Sequence, residues 1–421
     1  MTQRNSRLLA AGFFLMVSAA SAMELGSNFW NLKWHKPDDC FRDVKNVTGE
    51  DPWNPQFLKE IAIYRFFRFM DWDVTNNSER ETWAQRSHKT ETNQTTAAYE
   101  WMIDLCNRMN ADLWICVPHR TVSRETADQP CDYALRLCLL VKTGVDMRDV
   151  NLAPLFDRLG SMTAEQLIAA GGIKTCEPLK PGLKMYIEYS NETWNGQFKQ
   201  SHYCVEEGTA LQLDPKGSTG KDGRQWTSGF RFHAWAAIRI FRAVDLVWGV
   251  DSKRVVRVLA QQAVSVFQTQ QHQAVLNDSR FNPWGLKADA VAVAPYFGSK
   301  VSGDDPAAVD KLREAIRQSG EYAAAVKKIT DAAGLELIAY EGGQHVIQKA
   351  AVINRDQAMC DLYGEYLREM SKYFSRFCHY AHVGRAGEKG SWGCIEFTGQ
   401  AIDQAPKYRA LSAWSRQPAQ P

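Results

Sequence analysis

The sequence predicts a (β/α)8 barrel, and three observations carry that reading. Short apolar runs alternate with helical stretches along the chain, and eight such runs can be counted. The 421 residues contain no linker rich in Pro, Ser or Gly and no internal repeat, so one domain holds the alternation. Eight strands alternating with helices in one chain of this length read as such a barrel. The alternative is an open doubly wound sheet, which usually shows a glycine-rich phosphate turn after an early strand. None is present. The glycine-rich segment 384–390 follows the last expected strand and reads as loop.

The first strand is expected near Gly26 to Leu32, with the weakest pattern. Ile63 to Phe69, Asp112 to Val117, Lys184 to Tyr189 and Arg254 to Leu259 follow as apolar runs of strand length. Ala290 to Pro295, Leu335 to Tyr340 and Arg376 to His382 complete the eight. Helical stretches lie between them at Ala97 to Met109, Tyr133 to Leu140, Phe230 to Val247, Asp310 to Ala333 and Asp356 to Ser375. The fourth of these has the apolar spacing of an amphipathic helix. Two connections are long: Pro118 to Gly182, and Asn195 to Ser228. In a barrel, the loops after strands build the active face, and long ones shape a cleft.

The amino terminus reads as an export signal. Arg4 and Arg7 precede the apolar run Leu8 to Val17, and Ala20-Ser21-Ala22 supplies a small-residue cleavage site. Residues 1–22 are the expected signal peptide, 23–415 the barrel domain and 416–421 a disordered tail. The expected location is secreted or periplasmic. Export permits disulfides among the 10 cysteines, with Cys378–Cys394 and Cys176–Cys204 as candidate pairs; Cys116 reads as a buried thiol. No CxxC, HExxH or His-x-His pattern supports a metal site, and no cofactor is expected.

Composition narrows the partners. Lys and Arg number 50 against 48 Asp and Glu, so no basic excess exists to hold a nucleic-acid backbone. No later apolar segment reaches the length of a membrane span. A monomer is expected. The 14 Trp fit either a large core or rings that stack on sugar faces.

Two segments carry the chemistry. Tyr186-Ile187-Glu188-Tyr189-Ser190-Asn191-Glu192 takes the fourth strand to a carboxylate, and Leu337-Ile338-Ala339-Tyr340-Glu341-Gly342-Gly343 does the same for the seventh. Two carboxyl groups across a cleft are what glycoside hydrolysis needs: one gives a proton to the leaving oxygen, the other attacks the anomeric carbon. Glu188-x-x-Asn191-Glu192 resembles the E-x-x-N-E signature of retaining glycoside hydrolases of clan A, whose acid/base glutamate ends the fourth strand. Tyr340-Glu341-Gly342 matches the place of that clan's nucleophile. Many clan members have Pro after the Asn-Glu pair, where this chain has Thr193-Trp194.

The resemblance implies further roles. Glu192 is the expected acid/base and Glu341 the nucleophile. Asn191 is expected on the sugar 2-hydroxyl, and Arg68 resembles the arginine that pairs with the nucleophile. Tyr296 resembles the tyrosine whose hydroxyl bonds it, and His119 stands where a sugar-binding histidine is common. Trp392 is expected to floor the cleft, with Trp72, Trp194 and Trp226 on active-face loops. The implied substrate is a β-linked poly- or oligosaccharide. A non-catalytic carbohydrate-binding protein and a transglycosylase remain as alternatives. Asp71 and Asp73, flanking Trp72, read as caps of the loop after the second strand, together with Thr75 and Asn76.

Overall fold

The computed structural model describes residues 23–29, 40–42, 47, 51–94 and 96–417. The expected signal peptide, the end of the first expected strand (30–32) and the last residues of the tail lie outside them. Eight parallel strands close into a barrel: β1 (Glu24–Asn28), β2 (Phe66–Arg68), β3 (Asp112–Val117), β4 (Met185–Tyr189), β5 (Val255–Ala260), β6 (Ala290–Val293), β7 (Glu336–Ala339) and β8 (Arg376–His379). Each pairs with its neighbours in chain order, and β8 closes on β1 with Gly26 opposite Cys378. The principal outer helices are α1 (Pro55–Ile61), α2 (Tyr99–Met109), α3 (Asp132–Thr143), α4 (Trp226–Trp248), α5 (Val266–Leu276), α6 (Ala308–Ala332), α7 (Ala358–Met370) and α8 (Pro406–Ser415).

Alternation along the strands fills the interior. Phe66, Trp114 and Tyr186 point inward from β2, β3 and β4, and pack with Val256, Ala290 and Ala292 from the opposite wall. The Trp114 and Tyr186 rings stack with centroids 5.3 Å apart. Such bulk on one side demands small residues on the other. A Cβ on Gly26 would collide with the Phe66 ring, so β1 tolerates only glycine there. Arg376 plugs the bottom, its guanidinium 4.9 Å from the Tyr186 ring and bonded to Asp112 at 2.7 Å. The layer above is polar and holds Arg68, Glu188, Asn28 and Cys116. It forms the floor of the site.

Two expectations need correction. The candidate disulfides are not formed: Cys176, Cys204, Cys378 and Cys394 are free thiols. Cys378 faces the barrel interior, where Asn28 donates to its sulfur at 3.3 Å. Cys394 lies among the outer core residues, within 3.4 Å of the Tyr64 hydroxyl. The strand wall therefore separates the two. Cys204 sits against Tyr189, and Cys176 lies near Gly144.

The long β3–β4 connection also differs from expectation. It adds an antiparallel ribbon, Val145–Asp146 with Ile173–Lys174, and contributes no residue to the cavity beside Glu192. Asp146 accepts from Trp83 and Arg86, which fastens this segment to the β2–α2 loop. No helix among the described residues is long and apolar enough to cross a membrane.

Candidate active site

Glu341 stands two residues beyond β7, and only 5% of its surface is exposed. Gly342 and Gly343 follow because the backbone there is crowded. A Cβ on Gly342 would lie 2.6 Å from the Phe377 ring, and Gly343 has φ 131°. One carboxylate oxygen of Glu341 accepts from Arg68 Nη1 at 3.0 Å, and the other from the Tyr296 hydroxyl at 2.9 Å. Arg68 is fully buried at the end of β2. It also donates to Glu188, to Asn28 Oδ1 at 3.2 Å and to Asn191 Oδ1 at 2.9 Å. Its guanidinium lies 4.8 Å from the centre of the Tyr340 ring. One cation thus orders the ends of β1, β2, β4 and β7.

Glu192 lies three residues past β4, in a turn rather than on the strand itself. Ser190 and Glu192 both adopt left-handed backbone, with φ 58° and 41°. Non-glycine residues hold that conformation at a cost of about 1–3 kcal/mol each and concentrate at functional sites. The turn is anchored by the Ser190 amide donating to the Val117 carbonyl at 2.8 Å and by the Asn195 amide donating to the Glu192 carbonyl at 2.9 Å. The Glu192 carboxylate accepts from the Tyr340 hydroxyl at 3.1 Å and from Asn195 Nδ2 at 2.9 Å. It lines a cavity of about 540 Å³ with Trp194, Tyr296, Tyr340 and His345.

Charge is crowded beneath this cavity. Burial pushes the Glu341 carboxyl up to about 8; Arg68 and Tyr296 pull it down, while Glu192 and Asp71 raise it further. Burial likewise raises Asp71 to about 7, against the pull of Arg68 and the Tyr380 hydroxyl. Glu188, Glu341 and Asp71 share the single guanidinium of Arg68. Because charge on Glu192 raises Glu341, a proton on Glu192 favours ionised Glu341.

No protein-family model matches the chain, and no curated protein matches its sequence. Solved structures do match. The GH51 arabinofuranosidase from Xanthomonas axonopodis pv. citri aligns over 95% of this chain and 73% of its own, with a TM-score of 0.54 and 11% identity. The thermostable GH51 α-L-arabinofuranosidase from Thermotoga petrophila RKU-1 aligns over 93% and 71%, with a TM-score of 0.53 and 12% identity. The α-L-arabinofuranosidase from Thermotoga maritima, in complex with arabinose, gives 94%, 70%, 0.50 and 13%. The shared feature is the (β/α)8 barrel.

On that barrel, Glu192, Glu341, Asn191, Arg68 and Tyr296 come together, and Trp194 lines the cavity. Asn191 is 2% exposed, with its amide oxygen on Arg68 and its nitrogen on Asn76 Oδ1 at 3.0 Å. Trp392 donates to His345 Nδ1 at 3.0 Å, and His345 packs on the Tyr296 ring at 5.1 Å; the indole thus braces the cavity wall.

Trp72 stands elsewhere. It is 1% exposed, in an aromatic cluster with Phe29 at 5.1 Å, Phe69 at 5.2 Å and Trp53 at 6.2 Å. His119 is also buried, edge-on to Tyr203 at 5.2 Å, and burial lowers it to about 4. Neither lines the cavity. Asp73 orders its loop through Arg80 and Tyr99, as a cap should, whereas Asp71 meets the Tyr380 hydroxyl at 3.3 Å, beside the site.

Asn28, Tyr340, Asn195, His345 and Tyr380 are site residues that the sequence did not single out. Tyr340 had a signal: it directly precedes Glu341, and strand alternation sends the two side chains different ways.

Proposed function

We propose that the chain is an exported retaining glycoside hydrolase of clan A type that cleaves β-linked poly- or oligosaccharides. The observation that carries this reading is the pair of carboxylates presented from the ends of β4 and β7. Glu341 is gripped by a cation and a phenol, and Glu192 by a phenol and an amide.

In the first step a Glu341 oxygen attacks the anomeric carbon. The glycosidic C–O bond breaks, and its electron pair leaves with the oxygen, which takes the proton of Glu192. A glycosyl ester of Glu341 results. In the second step carboxylate Glu192 takes a proton from water as that water attacks the anomeric carbon. The ester bond breaks and its electrons return to Glu341. Arg68 and Tyr296 stabilise the carboxylate that leaves.

The test is Glu192→Ala assayed against a panel of polysaccharides and aryl glycosides, α-L-arabinofuranosides among them. Unactivated substrates are expected to lose about 10²–10⁴-fold in rate. Azide is expected to restore turnover of an activated aryl glycoside and to yield a β-glycosyl azide. Parent-like hydrolysis by the variant would overturn the assignment, and a parent protein that binds sugars without cleaving any would point to a binding protein.

Tyr296→Phe tests the nucleophile's environment. The lost phenol lowered Glu341, so its removal raises that group further. A hydrogen bond to a charged group is worth roughly 1.5–3 kcal/mol, and about 1.4 kcal/mol is one unit. The acid-side limb of kcat/KM is expected to move about one unit or more to higher pH. An unmoved limb would detach Tyr296 from the titrating group.

Export rests on the amino-terminal pattern, in which Arg4 and Arg7 precede the apolar run Leu8 to Val17 and Ala20-Ser21-Ala22 offers a cleavage site. Amino-terminal sequencing of protein recovered outside the cytoplasm is expected to begin at Met23.

A further inference from the structure

The cavity beside Glu192 does not end at the barrel rim. Ala263, Val264, Ala294, Tyr296, Phe297 and Ser299 line both that cavity and a second groove of about 660 Å³. The far wall of this groove is one face of α6, from Asp310 to Tyr322. At 1.5 Å per residue that face is about 18 Å long, much longer than one sugar ring. Val264 is 54% exposed and Tyr322 41%, so two large apolar surfaces face solvent at the near and far ends. Gln318 and Ser299 add polar groups between them.

The charges lining the groove balance, Asp310 and Glu314 against Lys300 and Lys311. On the α6 wall, Asp310 bonds Arg313, Lys311 bonds Asp305 and Glu314 bonds Arg317. A groove with aromatic and amide groups but no net field suits a neutral polyhydroxylated chain better than an ionic ligand.

We infer that the groove along α6 is a remote carbohydrate-binding site, continuous with the cavity, which holds sugar units several places from the bond that is cleaved. This rests on the glycosidase reading and deepens it: the substrate is a chain rather than a small glycoside, and the protein acts within or along it. Tyr322 supplies the stacking platform and Gln318 a hydroxyl partner. Neither touches the carboxylates, so their effect falls on remote sugars alone.

The test uses the full-length mature protein, with the di- and hexasaccharide of whichever panel polysaccharide it depolymerises. The parent is expected to show kcat/KM at least about tenfold higher on the hexasaccharide, because one aromatic contact worth roughly 1.4 kcal/mol is a tenfold effect. Tyr322→Ala is expected to erase that preference while leaving the disaccharide rate unchanged, and Tyr322→Phe to retain it. Equal rates on both lengths, or a preference that survives Tyr322→Ala together with Gln318→Ala, would overturn the groove assignment and leave the catalytic one standing. Turnover of small glycosides alone would do the same. Hydrolysis of nothing in the panel would overturn both.

Discussion

Glu341→Gln is expected to slow glycoside hydrolysis by about 10⁴-fold or more, the scale of losing a residue that forms the covalent intermediate. The amide has the shape of the carboxylate and can still accept from Arg68, so the barrel is expected to fold. Its thermal behaviour provides a second readout. The Glu341 carboxyl is raised to about 8 in the folded chain, from an ordinary value of 4.5. The fold therefore favours the protonated form. The associated stability is fully present below the ordinary value and is lost as pH rises through about 8.

Glutamine does not titrate, so the variant is spared this loss. The Tm of Glu341→Gln minus that of the parent is expected to grow steadily between pH 5 and pH 9. Parallel curves would mean that Arg68 fully compensates the buried charge. A 2-fluoro glycoside, which slows breakdown of the ester, is expected to add its sugar mass to the peptide containing Glu341. A label on any other residue would remove Glu341 as nucleophile.

How much of this was legible beforehand depended on what kind of information each element carries. Most of the strands were readable because their apolar runs are continuous, and the carboxylates were readable because they follow two of those runs; the first strand, Glu24–Asn28, has Gly, Ser and Asn in place of such a run and was the weakest to read. Lys199–Ala210 was not. Its buried face is Gln200, Ser201, Cys204, Glu207 and Gly208, which has no apolar period to detect. Gly208, which argues against a helix locally, is needed because a Cβ there would collide with the Ser228 carbonyl. The tryptophans show the same limit. Trp72 and Trp194 both follow strands at the active end, yet one is sealed among Phe29, Phe69 and Trp53 while the other faces the cavity. Distance along the chain places a residue at the rim, and only packing decides whether it turns in or out. The polar floor was half visible. Glu188, Arg68 and Asn191 each stand in a motif, but that one guanidinium gathers Glu188 and Asn191 together with Asn28 depends on how the closed barrel brings its strand ends together.

Arg68→Met separates structure from chemistry at that floor. Arg68 is fully buried, and its partners Glu188 and Glu341 are 0% and 7% exposed at their side chains. Removing the cation strands both carboxylates, and breaking a buried pair in this way costs about 3–5 kcal/mol. The loss is expected to be largest at alkaline pH and to shrink in acid, where the raised Glu341 carboxyl takes up a proton. Activity is expected to disappear near neutrality, because the Glu341 carboxylate then keeps the Tyr296 hydroxyl but loses the cation that favours its charged form. Adding Glu188→Gln removes one stranded charge. The double variant is therefore expected to recover much of the stability, with a coupling energy that a double-mutant cycle reads directly. It is not expected to recover activity, since Glu341 still lacks the cation that keeps it ionised and aimed. Stability restored without catalysis would make Arg68 the positioning partner of the nucleophile. Restored catalysis would reduce it to the counter-ion of Glu188.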